Sequence, residues 1–369
     1  MKNFFTFLSI LIISLTVYVS FNDLIPSSEK PLDKYDFSIE NALDHLRIIS
    51  KKPHYTGSEY HSVVRDYILN ELKNMGLETE IQNQMVTRFC CVGTNTSNII
   101  GTIKGSSNGK SLVLLTHYDS RHHASFGASD AGSGVVTILE GVRSFLSKNT
   151  IPINDIHLVF TDAEEIGLLG AQAFVKNHSL VDNIGLVLNF EARGSGGPSY
   201  MLIETNGKNG VLISEFINAE PGFPAANSLM YSIYKMLPND TDLTVFREQA
   251  NINGFNFAFI GDHFDYHTSL DSFERLDRNT LIHQADYIMS MLNHFSKINL
   301  SNLDSENDYV YLNFPILKML HYPYSWIYPL LIFSIIFFLF IIYLGLTINK
   351  LSVQGILNGI LALTISLFI

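Results

Sequence analysis

Apolar runs that end abruptly in a carboxylate or an imidazole recur along this chain, and no other feature limits its fold so tightly. LVFTDAEEIGLLG (residues 158–170) closes in Asp162, Glu164 and Glu165, and LVLLTHYDS (residues 112–120) closes in His117 and Asp119. GLVLNFEARG ends with Glu191, and FNFAFIGDHFDYHTSLD ends with His267. Adjacent carboxylates just past a buried strand are costly unless something positive lies among them. Side chains delivered together from the ends of several apolar strands fit an open α/β sheet, where ligands gather beyond the carboxyl ends of the strands.

The intervening segments carry the other half of that pattern. Residues 37–49 and 58–77 have helical spacing, with Val63, Tyr67, Leu69, Leu72 and Met75 expected to face inward in the second. Strands are expected at 98–103, 111–116, 156–161, 185–190 and 255–260. Helices follow Asp130 and occupy 167–176, 213–218 and 280–296. Such alternation predicts an α/β domain with a mostly parallel sheet covered by helices on both faces. Asp240, Asp242 and Arg247 read as a polar loop bounding a cleft. There Arg247 either clasps a peptide carboxylate or pairs with Asp242.

Charged residues make up only 16 % of the chain, and the reason is local. Residues 4–21, 326–346 and 351–369 are uncharged apolar runs, each near the ~17–25 residues needed to span a bilayer. The organisation expected is an anchor at 1–22, a globular domain at 36–298 and a two-helix membrane region at 323–369. The first run could instead be a cleaved signal, although YVSFN offers a poor cleavage site. Lys2 and Lys350 flank the spans, and the positive-inside bias puts both in the cytoplasm and the globular domain on the other side. The run that reaches Ile369 without a polar tail suggests a piece of a longer polytopic protein. Membrane lipid is thus an expected partner. The net charge of −11 argues against nucleic acid, and oligomeric state is unreadable. Cys90 and Cys91 are adjacent, so a disulfide between them would be badly strained. Asn95, Asn177, Asn239 and Asn299 begin glycosylation sequons.

His117, Asp130, Glu165, Glu191 and His267 form a mixed N/O set that suits zinc or a similar divalent ion. Asp130 taken alone is an N-cap, and Glu164 and Glu165 alone are first-turn acids. His263 rivals His267. If Asp130 bridges, two metals each receive about three ligands and can share a water. Glu164, beside Glu165, is then the natural proton acceptor, and Asp119 could orient the His117 ring. His122, His123 and His157 read as structural or solvated, with the first two able to line an entrance. Arg193 reads as a charge balance for Glu191.

THYDS, ASDAGSG, DAEEIGLLG, NFEARG and YHTSLD, in that order, resemble the M28 family of zinc metallopeptidases. PHYTGSEYHSVVRDYI, DTDLTVFRE and the flanking apolar runs are similar to its membrane-anchored, endoplasmic-reticulum branch and bacterial relatives. The resemblance implies a three-layer, aminopeptidase-like (phosphorylase/hydrolase-like) fold and two zinc ions per chain. It implies His117 and Glu191 on one zinc, Glu165 and His267 on the other, Asp130 between them and Glu164 as general base. A peptide with a free amino terminus is the implied substrate. Within the same family some members cyclise amino-terminal glutamine and others are idle binding domains; metal stoichiometry discriminates among the three readings.

Overall fold

The computed structural model describes residues 2–24, 26, 36–88, 92–122, 124–237 and 240–367; Cys90, Cys91, His123 and Asn239 fall outside them. One compact unit runs through His321 and a second begins at Tyr322. The first unit starts with the apolar helix α1 (Lys2–Asn22), followed by α2 (Ile39–Ile49) and α3 (Glu59–Asn74). Ser38 and Ser58 open α2 and α3 by accepting the N–H of Asn41 and of His61, which satisfies donors a helix start leaves orphaned.

The sheet strands are β1 (Glu78–Arg88), β2 (Val92–Ile103), β3 (Ser111–His117), β4 (Ile156–Thr161), β5 (Ile184–Ala192), β6 (Gly196–Glu204) and β7 (Gly254–Gly261). They lie in the order β1-β2-β4-β3-β5-β7-β6. The four central strands are parallel, while β1, β2 and β6 run antiparallel at the margins. This is the mixed, mostly parallel α/β sheet that the alternation predicts.

Period-two alternation splits each central strand between two cores. Leu112 and Leu114 of β3 point into one layer and Val113 and Leu115 into the other. Leu158 and Phe160 of β4 likewise oppose Val159. The first layer is built by α2, α3, α4 (Gly132–Ser147) and α9 (Arg278–Phe295). The second is built by α5 (Leu169–Asn177) and α8 (Asp242–Ala250). Helices α6 (Gly210–Asn218) and α7 (Ser228–Met236) complete the set before β7, and a hairpin of β8 (Tyr309–Phe314) and β9 (Lys318–Pro323) follows α9.

Several elements depart from the expectations. The fully buried face of α3 is His61, Val64, Ile68 and Leu72; of the expected stripe Leu72 is buried, Tyr67, Leu69 and Met75 pack against the core from its margin, and Val63 alone turns out, 48 % exposed. His61 joins the buried face because its ring has a buried carboxylate to meet. Strand β1 escapes periodicity reading because ETEIQNQMVTR sits at the sheet edge, where most of its side chains meet water. The polar stretch containing Asp242 and Arg247 is helix α8, not a loop.

In the second unit, α10 (Ile327–Thr347) has 21 residues and no buried side chain. At 1.5 Å per residue it reaches about 31 Å, the thickness of a hydrocarbon core. Helix α11 (Val353–Leu367) has 15 residues, about 22 Å by the same rise. Among the described residues α1 and α10 are long and apolar enough to cross a membrane, and α11 is a shorter apolar helix.

One buried group ties the globular fold to pH. His283 on α9 is fully enclosed; its Nδ1 accepts the Ser199 N–H at 3.1 Å and its Nε2–H donates to the Phe223 carbonyl at 2.6 Å. Burial pushes its pKa down to about 4. Between the unfolded value near 6.5 and that value, only the unfolded chain takes up the proton, so stability falls as pH falls through this window. The expected loss from this side chain is about 2 kcal/mol between pH 7 and pH 5. Unfolding measured at both pH values for the parent and for His283→Gln isolates it, since the variant cannot titrate. Equal pH dependence in the two proteins would refute the assignment.

Candidate metal centre

The carboxyl ends of the parallel strands supply the site, as the apolar runs suggest. His117 is the last residue of β3, and Glu191 is the penultimate residue of β5. Glu164 and Glu165 lie in the turn after β4, Asp130 precedes α4, and His267 lies in the loop after β7. Side chains from five separate stretches of the sequence thereby meet.

His117, Asp130 and Glu191 each offer an atom to one point, and Asp130, Glu165 and His267 offer atoms to a second. Asp130 is shared. Its Oδ1 lies 3.1 Å from His117 Nε2 and its Oδ2 lies 3.2 Å from His267 Nε2. Glu191 Oε2 stands 3.7 Å from His117 Nε2, and Glu165 Oε2 stands 3.1 Å from His267 Nε2. His263 is exposed and outside both groups, so His267 is the histidine the fold brings in. No side-chain capping bond joins Asp130 to α4, whose N-cap is Ala131.

The cluster calls for positive charge. Burial opposes protonation of His117, yet the carboxylates of Glu191 and Glu164 hold its pKa well above the usual imidazole range. His267 is likewise raised to about 9 by Asp130 and Glu165 against the effect of burial. Burial, with the Asp130 charge, lifts Glu165 to about 7. Glu165 Oε1 and His267 Nε2 are buried without a well-formed hydrogen bond among the described residues. Unmatched lone pairs within a predominantly anionic, mixed N/O donor set fit a pair of divalent cations of the zinc type.

A second layer holds these groups in place. His117 Nδ1–H donates to the Asp119 carbonyl at 2.9 Å, which leaves Nε2 free to ligate. The Asp119 carboxylate, 3.5 Å from that ring at its nearer oxygen, works mainly elsewhere. It accepts the N–H groups of Glu164 at 3.1 Å and Glu165 at 3.3 Å and so fixes the turn carrying both. Asp271 accepts the N–H groups of Ser129 at 2.6 Å and Asp130 at 3.3 Å. Thr56 donates towards Asp119 and Asp162, and Asp162 also receives His61 Nε2 at 2.9 Å. Residues Thr56 and His61 give no sign of this in the sequence beyond their place in PHYTGSEYH. His267 itself has φ 58°, a strained value for a non-glycine residue that its surroundings must impose.

Other expected site residues go elsewhere. Arg247 pairs with Glu204 and Glu248 and not with Asp242: its Nε lies 2.7 Å from Glu204 Oε2 and its Nη2 3.0 Å from Glu248 Oε1. Asp242 is buried at the head of α8 and bonded by the Thr161 hydroxyl, and burial raises its carboxyl to about 7. Arg193 lies 5.4 Å over the Tyr266 ring, which stacks on His267 with ring centres 3.6 Å apart. His122 stacks on Tyr55, and His157 is buried against Thr102.

A cavity of about 110 Å³ opens from Asp130, Glu164 and Glu191. At the ~10–15 Å³ that one water occupies on this measure, it has room for a large side chain. Its walls are mainly apolar, with Leu202, Met230, Ile233, Leu237 and Tyr234 among them. On the Glu165 side Arg121, which sequence reasoning passed over, donates from Nη1 to the Glu165 carbonyl at 2.5 Å.

Residues 98–292 match the model of peptidase family M28. The chain belongs to that family. Among curated M28 relatives, the vacuolar membrane protease of Candida dubliniensis is 28 % identical over 85 % of this chain and 34 % of its own length. That of Candida albicans is 30 % identical over 85 % of this chain and 37 % of its own. A putative endoplasmic reticulum metallopeptidase 1-B of Caenorhabditis elegans is 32 % identical over 55 % and 23 %. This chain thus spans about a third of the length of the curated relatives it matches. Among solved structures, Porphyromonas gingivalis glutaminyl cyclase superposes with a TM-score of 0.58 at 20 % identity, covering 70 % of this chain and 97 % of that one. A Zn-dependent exopeptidase from Parabacteroides distasonis gives 0.55 at 21 %, covering 70 % and 98 %. These two likenesses establish a shared aminopeptidase-like fold.

Proposed function

We propose that this M28 chain is a membrane-anchored, two-zinc aminopeptidase whose globular domain faces the non-cytoplasmic side. The observation that carries the reading is the shared Asp130, whose two oxygens serve two complete ligand groups while Glu164 stays outside both. His117, Asp130 and Glu191 would hold one zinc, and Asp130, Glu165 and His267 the other. Two zinc ions, when bound, supply acidification of a water and polarisation of the substrate carbonyl.

The rest of the chemistry belongs to side chains. Glu164 takes the proton as water oxygen bonds to the carbonyl carbon, then delivers it to the leaving nitrogen as the C–N bond breaks. Burial holds its carboxyl well above the usual range, reinforced by the charges of Glu165 and Glu191 and opposed by His117. A raised pKa suits a group that must accept a proton and then release it. Asp119 keeps Glu164 and Glu165 aimed together through their backbone N–H groups. The apolar cavity receives the side chain of the first residue, and the surrounding carboxylates attract the free amine. Lys2 and Lys350 flank the apolar helices, which supports the proposed orientation in the bilayer.

A glutaminyl cyclase needs one metal, consumes no water and releases ammonia. The second complete ligand group favours the peptidase. The test uses the full chain in detergent, loaded with zinc and incubated with free and amino-acetylated peptides read by mass spectrometry. Loss of single amino-terminal residues from free peptides alone supports the proposal. Ammonia loss from glutamine-led peptides, or no product with both zincs bound, refutes it.

A further inference from the structure

Two openings meet the ligand cluster and share no lining residue. The apolar cavity opens from Glu164 and Glu191, whereas a groove bounded by Val92, Gly93, Arg121, His122, Glu165 and Ile166 opens from the other end. In the groove, Arg121 is tethered by one nitrogen only. Its Nη1 reaches the Glu165 carbonyl and stands 3.4 Å from Oε2, while 44 % of the side chain remains exposed. Nε and Nη2 have no hydrogen-bond or ion-pair partner among the described residues. A guanidinium held on one side and open on the other presents a fork suited to a carboxylate.

Position decides which carboxylate. Arg121 touches Glu165, which touches His267, so it stands one side chain away from the proposed reacting bond. An extended chain advances at most ~3.3–3.6 Å per residue. A terminal carboxylate within reach of Arg121 therefore belongs to the residue immediately after that bond. Arg121 is the sole Arg or Lys among the described residues that line this groove, so a carboxylate entering it meets one fixed cation. Arg193 lies on the cavity side and is stacked over Tyr266.

We infer that Arg121 is a specificity residue that binds the free carboxylate of a dipeptide, which makes this chain a dipeptidase for substrates with an apolar first residue. This rests on the peptidase reading and refines it. The experiment compares leucyl-glycine with leucyl-glycinamide on the zinc-loaded full chain, for the parent, Arg121→Ala and Arg121→Lys, with melting temperature as a folding control. Equilibrium binding of a reduced-bond leucyl-glycine isostere and its amide is measured beside turnover.

Loss of one charge-assisted pair predicts that the parent favours the acid by about ten- to a hundredfold in kcat/KM. The ratio should fall to about one in Arg121→Ala, chiefly through KM, with Arg121→Lys between. Equal turnover of acid and amide by the parent overturns the inference, as does a preference that survives in Arg121→Ala. If neither substrate is cleaved, the peptidase reading falls. Binding then decides: an Arg121-dependent preference for the acid isostere upholds the carboxylate site, and its absence overturns that as well.

Discussion

Glu164→Gln is expected to lower kcat on a free-amino peptide by about 10²–10⁴-fold, the usual worth of a positioned proton carrier. The substitution keeps the shape of the side chain and removes only its capacity to take up a proton. Glu164 belongs to neither ligand group, so two zincs per chain should remain bound. The backbone bond from its N–H to Asp119 at 3.1 Å does not involve the replaced atoms, so the turn should persist. Single-turnover rates, metal analysis and melting curves together check this. Full activity in the variant would remove Glu164 from the mechanism. Loss of zinc along with activity would instead make it a ligand.

Gly134→Ala is expected to lower stability substantially, because the added methyl group meets two atoms that cannot withdraw. A Cβ at Gly134 would lie 2.4 Å from Thr116 Oγ1 and 2.6 Å from the Phe190 carbonyl oxygen. Those two atoms are themselves bonded at 2.9 Å, tying β3 to β5 beneath the helix. Neither can yield cheaply, because one is main chain and the other is a buried hydroxyl. Helix α4 would have to lift from the sheet, at a cost of about 3 kcal/mol. For a domain of this size that lowers the melting temperature by about 6–12 °C. Since Asp130 stands at the head of α4, zinc affinity should fall with it. A melting temperature within 2 °C of the parent would show that the close approach does not constrain the helix. The final glycine of ASDAGSG thus has a packing reason: it sets the height of Asp130 above the sheet.

The long-range polar contacts explain where sequence reading stopped. Spacing alone sets Asp119 beside the His117 ring; the fold adds that its backbone carbonyl takes the Nδ1–H and that its carboxylate also serves the Glu164–Glu165 turn. Thr56 meets Asp162 across 106 positions, and Arg247 meets Glu204 rather than its near neighbour Asp242. Such partners cannot be chosen from composition or spacing, because many acidic groups are within reach until the fold selects one.

By itself the sequence determined the alternating α/β plan, the apolar runs near both ends and the five side chains that the fold draws into the two ligand groups. Strands buried on both faces must be continuously apolar, so a polar ligand can appear only where each strand ends. Tertiary structure alone decided the edge strands β1 and β6, the burial of His61 on α3, the apolar cavity beside α7 and the part-exposed guanidinium of Arg121. β1 meets water along its length and β6 opens on Gly196, Gly197 and Pro198, so both leave weak hydrophobic periodicity. Their places follow from what the buried strands leave open.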